Sequence, residues 1–198
     1  MLFTEVIKLK GGVLYNLEYH KARVARTLAA FGMSQIDFTM VEGAVPANCT
    51  NGLYKCRVLY SNKIEKIEFT PYIFRKIETV EIVVDNNIEY SYKYADRDRL
   101  NALKVASNCD EIIIVKEGFI TDSSYTNLVF KQGKEYFTPQ ECLLPGTKRQ
   151  ALLDAGIIRL KSIKPKDLAS YESVHFINAM IDIEDNISCS IPSIRNNL

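Results

Sequence analysis

The chain has 198 residues, of which 47% are hydrophobic and 25% are charged, as is typical of a globular protein with a buried core. Its net charge of +1 gives no electrostatic reason to expect nucleic acid or an anionic membrane as a partner. Five cysteines without a Cys-x-x-Cys pair argue against a disulfide framework or a metal site, and no pattern of a signal peptide or membrane helix is present. We therefore expect a cytoplasmic protein.

The first part of the chain alternates in polarity, then changes to helical spacing, and then alternates again. Glycines separate these stretches, which is the usual sign of tight turns and helix ends. The predicted elements are a strand over residues 2–10, a turn at Gly11-Gly12, a strand over 13–15, a helix over 17–31 capped by Asn16 and ended by Gly32, a weaker helix over 35–43, and strands over 54–60 and 64–69.

The remainder of the chain is again rich in alternating segments. The predicted elements are strands over 79–84 and 88–92, a helix over 96–106, a strand over 112–115, a hairpin of strands over 125–131 and 135–138, a helix over 147–155, and a strand over 175–180. Because hairpins outnumber crossovers, we predict an α+β fold with mainly antiparallel sheets. A break near Pro71 predicts domains over 1–73 and 77–198, with a linker over 71–76.

The segment from Gly118 to Asn127 places an acid and several hydroxyl groups directly after a tight turn. Asp122 is the acid, and Ser124 is one of the hydroxyl residues. A carboxylate beside a pyridine nitrogen keeps that nitrogen protonated, which makes the ring an acceptor of electrons. The alternative is an ordinary loop stabilised by local side-chain hydrogen bonds. Viewed alone, the segment favours the loop.

A second candidate site is the junction at Gly146, where a loop enters a helix. The first turn of a helix offers backbone N–H groups and the positive end of a dipole, which together can bind a phosphate. Thr147 and Lys148 could add side-chain donors. The alternative is a Pro-Gly turn before a cationic surface helix, and it is the commoner arrangement.

Lys93 and Arg23 are basic residues with clear chemical possibilities. Lys93 follows an alternating segment, and a lysine that is desolvated loses its proton more easily and can form an imine with an aldehyde. Arg23 lies one helical turn from His20 and could bind a phosphate through two N–H groups. A solvent-exposed lysine and a surface arginine are the more ordinary interpretations.

The order of these four features resembles the fold-type IV pyridoxal-phosphate enzymes, which include branched-chain aminotransferase, D-amino acid aminotransferase and aminodeoxychorismate lyase. The matching positions are His20-Lys21-Ala22-Arg23, Lys93 with Asp96, Gly118 to Asn127, Gly146 to Arg149, and Asn178-Ala179-Met180. The match is collinear over nearly the whole chain, and the combined set is fairly specific.

This resemblance implies that pyridoxal 5'-phosphate is the cofactor and that Lys93 forms a Schiff base with it. Lys104, in the middle of a predicted helix, is a poorer match for that lysine. The other implied cofactor-binding residues are Arg23, Gly146, Thr147 and Lys148 at the phosphate, Asp122 at the pyridinium, and Ser124, Asn178 and Ala179 elsewhere around the cofactor. Two positions depart from the family, which usually has Glu in place of Asp122 and Thr in place of Lys148.

The resemblance also implies a homodimer that acts on a small-molecule amino substrate. The favoured reaction is conversion of 4-amino-4-deoxychorismate to 4-aminobenzoate and pyruvate for folate synthesis, because of the compact length and the segment Phe3-Thr4-Glu5. Transfer of amino groups from branched-chain or D-amino acids is the alternative. A third hypothesis is a cofactor-free binding or dimerisation module. The sequence leaves the substrate-selecting residue open among Lys8, Arg57, Tyr92 and Asn178.

Overall fold

The computed structural model describes residues 1–196, which form two compact units. The first unit contains Met1–Phe74 together with Tyr92–Asp96. The second contains Arg75–Ser91 and the chain from Arg97 onward. The first unit is therefore discontinuous in sequence.

Residues 92–96 join the first unit because their backbone pairs with the beginning of the chain. The Thr4 N–H donates to the Lys93 carbonyl at 2.9 Å, and the Ala95 N–H donates to the Leu2 carbonyl at 2.9 Å. The sequence-based boundary assigned this segment to the second domain, since nothing local in the sequence reveals so distant a partner. The division into domains over 1–73 and 77–198, with a linker over 71–76, stays a prediction.

The first unit is an antiparallel sheet with a helix packed on one face. Among the described residues its strands are β1 (Phe3–Lys10), β2 (Val13–Leu14), β3 (Leu53–Tyr60) and β4 (Ile64–Pro71), and its helices are α1 (Leu17–Ala30) and α2 (Thr39–Gly43). The strands lie in the order β2-β1-β3-β4. Apolar residues of α1, including Val24 and Leu28, form a core cluster with Phe3 and Ile7 of β1.

The second unit is built on a larger, mixed sheet. Its described strands are β5 (Val80–Val84), β6 (Glu111–Lys116), β7 (Phe119–Ser123), β8 (Asn127–Gln132), β9 (Glu135–Pro139), β10 (Arg159–Lys161), β11 (Ser173–Ile177), β12 (Ser188–Ser190) and β13 (Ile194–Arg195). Its helices are α3 (Asp98–Ala106) and α4 (Thr147–Asp154), with 3-10 helices at Pro165–Ser170, Ile183–Asp185 and Ile191–Ser193.

The larger sheet runs in the order β10-β9-β8-β7-β6-β5-β13, and β11 joins it through β8 and carries β12. Pairs β5–β6, β5–β13 and β9–β10 are parallel, and the other pairs are antiparallel. The predicted α+β fold with mainly antiparallel sheets is thus confirmed. Strand β6 lies between β5 and β7. Its apolar run, Ile112 to Val115, is buried along its whole length, as is typical of a strand that is covered on both faces.

The predicted strand over 88–92 is wrong. Ile88 and Tyr90 are buried, which explains the alternating pattern, but the segment forms no strand in the structure. It turns away after β5, where the Asn87 N–H donates to Asp85 Oδ1 at 3.0 Å. Alternation reports which side chains are buried, and it does not by itself show that a backbone partner exists.

Two further expectations at element ends differ from the structure. Asn16 does precede α1, but its φ is 54° and its side chain makes no capping hydrogen bond. Strand β7 was not predicted, because Thr121, Asp122 and Ser123 suggested a loop, whereas the structure buries all three in the sheet. The weaker helix predicted over 35–43 is confined to Thr39–Gly43.

No helix formed by residues 1–196 is long and apolar enough to cross a membrane.

We predict that Phe176→Ala lowers the free energy of unfolding by about 3–5 kcal/mol, because it removes a large side chain from a filled core. Phe176 lies on β11, is 0% exposed and belongs to the main core cluster of the second unit. Urea unfolding at equilibrium measures the change. Val105→Ala is the control, since Val105 is 74% exposed and its replacement is expected to cost no more than about 0.5 kcal/mol.

Candidate active site

A buried ion pair in the first unit fixes Arg23. The Arg23 Nε donates to Glu5 Oε1 at 2.8 Å, and its Nη2 donates to Glu5 Oε2 at 2.6 Å. Glu5 is 0% exposed and Arg23 is 5% exposed, so the surface arginine that sequence alone favoured is wrong. A two-point bond between a planar guanidinium and a carboxylate fixes the plane as well as the position of the arginine.

His20 completes this cluster from one helical turn earlier on α1. Its Nδ1 lies 2.5 Å from Glu5 Oε2, and because the carboxylate is ionised the imidazole N–H is the donor. Burial favours the neutral form of Glu5, but the charge of Arg23 and the hydrogen bond from His20 hold the pKa of Glu5 at about 2. Burial lowers the pKa of His20, so the cluster holds one negative and one positive charge near neutral pH.

Lys93 lies in the same unit as this cluster, on the segment that pairs with β1. Its neighbour Tyr94 forms an isolated bridge with Phe3, and the tyrosine ring stacks on the phenylalanine ring with centroids 5.5 Å apart. Burial lowers the pKa of His20, and the charge of Lys93 adds to that effect. The structure therefore holds the Lys93 backbone through β-pairing and aromatic packing and not, as predicted, at the end of a strand.

Asp122 of the second unit is a buried acid on β7. Its Oδ1 accepts a hydrogen bond from Asn127 Nδ2 at 2.8 Å, and its Oδ2 accepts one from the Leu144 N–H at 2.9 Å. Burial raises the pKa of Asp122 to about 6, although these hydrogen bonds and the charge of Arg149 oppose the rise. A buried carboxylate whose pKa is displaced in this way is a candidate functional group.

The helix start at Gly146 is joined to this acid through Leu144. Gly146 is the residue before α4, has ordinary extended backbone angles, and provides no side-chain cap. The first turn of α4 contains no acidic residue, although acids are favoured there, and instead contains Lys148 and Arg149. The backbone N–H groups of a first helical turn, the positive end of the helix dipole and the added cations are together suited to an anion.

Lys148 and Arg149 are both held by neighbouring groups. The Lys148 ammonium forms an ion pair with Asp182, and it is 13% exposed. Arg149 is buried and donates to Thr138 Oγ1 at 3.2 Å and to the Pro139 carbonyl at 2.8 Å. The ordinary alternative for this segment was a cationic surface helix. It does not fit, because Lys148 is largely buried and Arg149 is buried.

Ser124 lies in the turn between β7 and β8, and a third buried acid fixes its backbone. The Ser124 N–H donates to Glu111 Oε1 at 2.9 Å, and the Ser124 carbonyl accepts from Arg97 Nη2 at 2.6 Å. Glu111 is 0% exposed, and its Oε2 has no hydrogen-bond partner among the described residues. Burial raises the pKa of Glu111, which places a proton on this carboxyl more readily than in water.

Asn178 and Ala179 occupy the turn that follows β11. Asn178 Oδ1 accepts from the Met180 N–H at 2.8 Å, and its Nδ2 lies 3.5 Å from the Tyr125 carbonyl, in the turn that also contains Ser124. The structure therefore brings together, within the second unit, the turn with Ser124, the turn with Asn178 and the start of α4 with Asp122. Arg23 and Lys93 belong to the first unit.

Sequence reasoning missed Glu5 and Glu111 and gave no specific role to Asn127. Each is a polar residue whose partners are far away along the chain, so no local motif contains the interaction. For Glu5 there was one signal, since an acid in register with Phe3 and Ile7 on the buried face of a strand requires a cationic partner.

Comparisons with known proteins identify the family of this chain. Residues 90–184 match the model of a family described as amino-transferase class IV. A Haemophilus influenzae protein whose function is uncharacterised is 35% identical over 182 residues, which cover 89% of this chain and 96% of that protein. A crystal structure of a candidate 4-amino-4-deoxychorismate lyase from Haemophilus somnus is 34% identical, covers 90% of this chain and 96% of its own, and has a TM-score of 0.84.

More distant structures share the fold alone. A hypothetical aminotransferase from Mycobacterium tuberculosis, solved with pyridoxal phosphate bound, is 14% identical with a TM-score of 0.79, covering 98% of this chain and 81% of that one. A candidate amino-acid aminotransferase from Mesorhizobium loti is 19% identical with a TM-score of 0.78, covering 90% of this chain and 95% of that one.

We predict that Glu5→Gln lowers the free energy of unfolding at pH 7 by about 3–5 kcal/mol, because it leaves the buried charge of Arg23 uncompensated. Chemical denaturation measures the loss. The control is Glu135→Gln, which removes a well-exposed ion pair with Arg159 and is expected to cost no more than about 1 kcal/mol. Equal losses in the two variants would contradict the prediction.

We predict that Glu111→Gln gains stability relative to the wild type as the pH rises from 5 to 8. The folded-state pKa is raised, so the contribution of this carboxyl is fully present below its unfolded pKa of about 4.3 and is lost as the pH rises through the folded pKa. Gln retains the acceptor that Ser124 uses.

Melting temperatures at the two pH values test this, with Glu117→Gln on an exposed turn as the control for loss of a negative charge alone. A gain that is the same for both variants would refute the assignment of the effect to buried Glu111.

Proposed function

This chain belongs to the class IV aminotransferase family, and from that premise we propose that it is a pyridoxal-phosphate-dependent lyase converting 4-amino-4-deoxychorismate to 4-aminobenzoate and pyruvate. The choice of reaction is supported by the 34% identity to the candidate lyase of Haemophilus somnus, since the two chains correspond over almost their whole lengths. One observation above all supports pyridoxal phosphate as the cofactor. Buried Asp122 accepts a hydrogen bond from Leu144, just before α4, and the first turn of α4 has no side-chain cap and no acidic residue.

The residues of the second unit fit pyridoxal phosphate chemically. The first N–H groups of α4 and the Thr147 hydroxyl are the donors that a phosphate requires. Asp122 is an acceptor set in a buried environment, and a carboxylate oxygen that already accepts one hydrogen bond retains a second lone pair for another donor. An acid of this kind suits a protonated ring nitrogen.

Pyridoxal phosphate, when bound, supplies an aldehyde that reacts with amines and a ring that accepts an electron pair. The chain supplies the remaining functions. Lys93 would hold the cofactor through its amine and would be free of it once the substrate amine is bound. Asp122 keeps the ring nitrogen protonated, and Ser124, Asn178 and Ala179 contribute to the walls of the cofactor site.

Phosphate binding is assigned to Arg23, Gly146, Thr147 and Lys148. For Lys148 the proposal uses the backbone N–H, because its ammonium is already paired with Asp182. The two hydrogen bonds to Glu5 fix the plane of the Arg23 guanidinium.

Lys93 then acts as a base, which requires its neutral amine. Once released, it takes a proton from the substrate ring, and the ring becomes aromatic as the C–O bond to the enolpyruvyl group breaks. The departing enolpyruvate takes up a proton and becomes pyruvate. The reaction therefore needs no oxidant, and one proton is returned for the proton removed.

An aminotransferase is the second candidate, because the family and the Mesorhizobium loti structure bear that description. The same Lys93 would then move a proton within an amino acid instead of removing one from a ring, so the two reactions share every binding residue named above. A cofactor-free module is the third candidate. The proposal also includes a homodimer and a cytoplasmic location, as the sequence resemblance implied, and a role in folate synthesis through the product 4-aminobenzoate.

We predict that the purified protein has a visible absorbance band from its cofactor and that Lys93→Ala loses it, because no other amine is assigned to attach the aldehyde. Lys104→Ala is the control and is expected to retain the band. Borohydride reduction followed by peptide mapping locates the attachment site. Incubation with 4-amino-4-deoxychorismate is expected to yield 4-aminobenzoate in the wild type and not in Lys93→Ala.

Other results distinguish the three candidates. Amino transfer to 2-oxoglutarate without 4-aminobenzoate would replace the lyase by the aminotransferase. A colourless protein that gains no absorbance with added pyridoxal phosphate would favour the cofactor-free module.

A further inference from the structure

Asn127 connects the buried acid to the helix start through two hydrogen bonds of one amide group. Its Nδ2 donates to Asp122 Oδ1 at 2.8 Å and to the Leu144 carbonyl at 2.9 Å. The Leu144 N–H in turn donates to Asp122 Oδ2 at 2.9 Å. Asp122, Asn127 and Leu144 therefore form a closed ring of three hydrogen bonds, and each of the three residues bonds to the other two.

The other end of the same amide packs against Gly146. A Cβ placed on Gly146 would lie 1.9 Å from Asn127 Oδ1, which is too close for any real contact, and 3.1 Å from its Cγ, which is tighter than most real contacts. The φ of Gly146 is −70°, which every residue can adopt, so its backbone angles do not require glycine. The contact with Asn127 requires it instead, and the Asn127 amide therefore touches both the acid and the residue that begins α4.

We infer that Asn127 is a positioning residue that sets the separation between Asp122 and the first turn of α4, and so determines how tightly this site holds a phosphate-bearing ring. The inference rests on the proposed function, because that function assigns the ring nitrogen to Asp122 and the phosphate to α4. A rigid ligand held at both ends needs that separation fixed to within about 0.5 Å.

The shorter acid of this chain makes the separation more important. Asp122 has one side-chain carbon fewer than the Glu usual in the resembling family, so its carboxylate has less freedom to follow a displaced turn. Asn127 and Leu144 fix both carboxylate oxygens, and they do so from the same turn that leads into α4. Asn127 is 6% exposed, so water does not replace its bonds while the structure is intact.

The test compares two ligands of apoprotein, pyridoxal phosphate and pyridoxal, which differ only in the phosphate. Fluorescence titration of the wild type is expected to show a strong preference for pyridoxal phosphate. Asn127→Ala is expected to reduce that preference at least about tenfold, because two hydrogen bonds that fix the turn are lost. Melting temperatures are measured for every variant.

Phe130→Ala is the matched control, since Phe130 is fully buried on the same strand and its core cluster contains no residue of α4. It is expected to lower the melting temperature and to leave the ligand preference unchanged. A role of Asn127 limited to stability would give the same result as this control and would overturn the inference.

Gly146→Ala and the double variant Asn127→Ala/Gly146→Ala complete the test. The single change forces the turn away from Asn127 and is expected to reduce both the melting temperature and the preference. In the double variant the collision is relieved, so the melting temperature returns toward that of Asn127→Ala while the preference stays low.

The possible results distinguish a failure of this inference from a failure of the proposed function. A wild type that prefers pyridoxal phosphate, with Asn127→Ala retaining that preference, overturns the inference alone. A wild type that binds neither ligand overturns the proposed function and the inference together.

Discussion

A carboxylate removed from water must find hydrogen-bond donors inside the protein, and this requirement organises the buried polar residues of each unit. Glu5, Glu111 and Asp122 are each almost completely buried. Glu5 fixes an arginine and a histidine on α1, Glu111 fixes the backbone of Ser124, and Asp122 fixes the turn before α4. Acids therefore fix three of the positions predicted to bind the cofactor, which are Arg23, Ser124 and the turn before α4, and no motif includes Glu5 or Glu111.

The pKa values of the three acids differ because their hydrogen-bond donors differ. Glu5 faces a guanidinium and an imidazole, and its pKa falls to about 2, so it is charged near neutral pH. Asp122 and Glu111 are bonded mainly to neutral N–H groups, which compensate less for burial, and burial raises the pKa of both. Glu5 is thus the counter-ion of Arg23, whereas Asp122 is the group that we propose to pair with a protonated ring nitrogen.

Sequence predicted what depends on near neighbours along the chain. The hairpins at Gly11-Gly12 and Gly133, the helix that starts at Thr147 and the collinear motifs were all visible, because turn chemistry and periodicity are local. Strand β7 was not predicted, and a strand over 88–92 was predicted but does not form. Alternation of polarity shows which side chains are buried, but it does not show which segments pair. The partners of Glu5, and Leu144 as a partner of Asp122, were invisible for a different reason, because they lie 15 to 22 residues away along the chain.

The pairing of Lys93 with the beginning of the chain has a consequence for biosynthesis. During translation the first strand leaves the ribosome long before the segment over 92–96 exists, so its pairing with that segment must wait for residues that follow part of the second unit. Contacts so distant in sequence form slowly, because a long loop has to close before they contribute stability. The nascent chain therefore exposes the aromatic face that Tyr94 later covers, and that interval is when binding by a chaperone would protect it from aggregation.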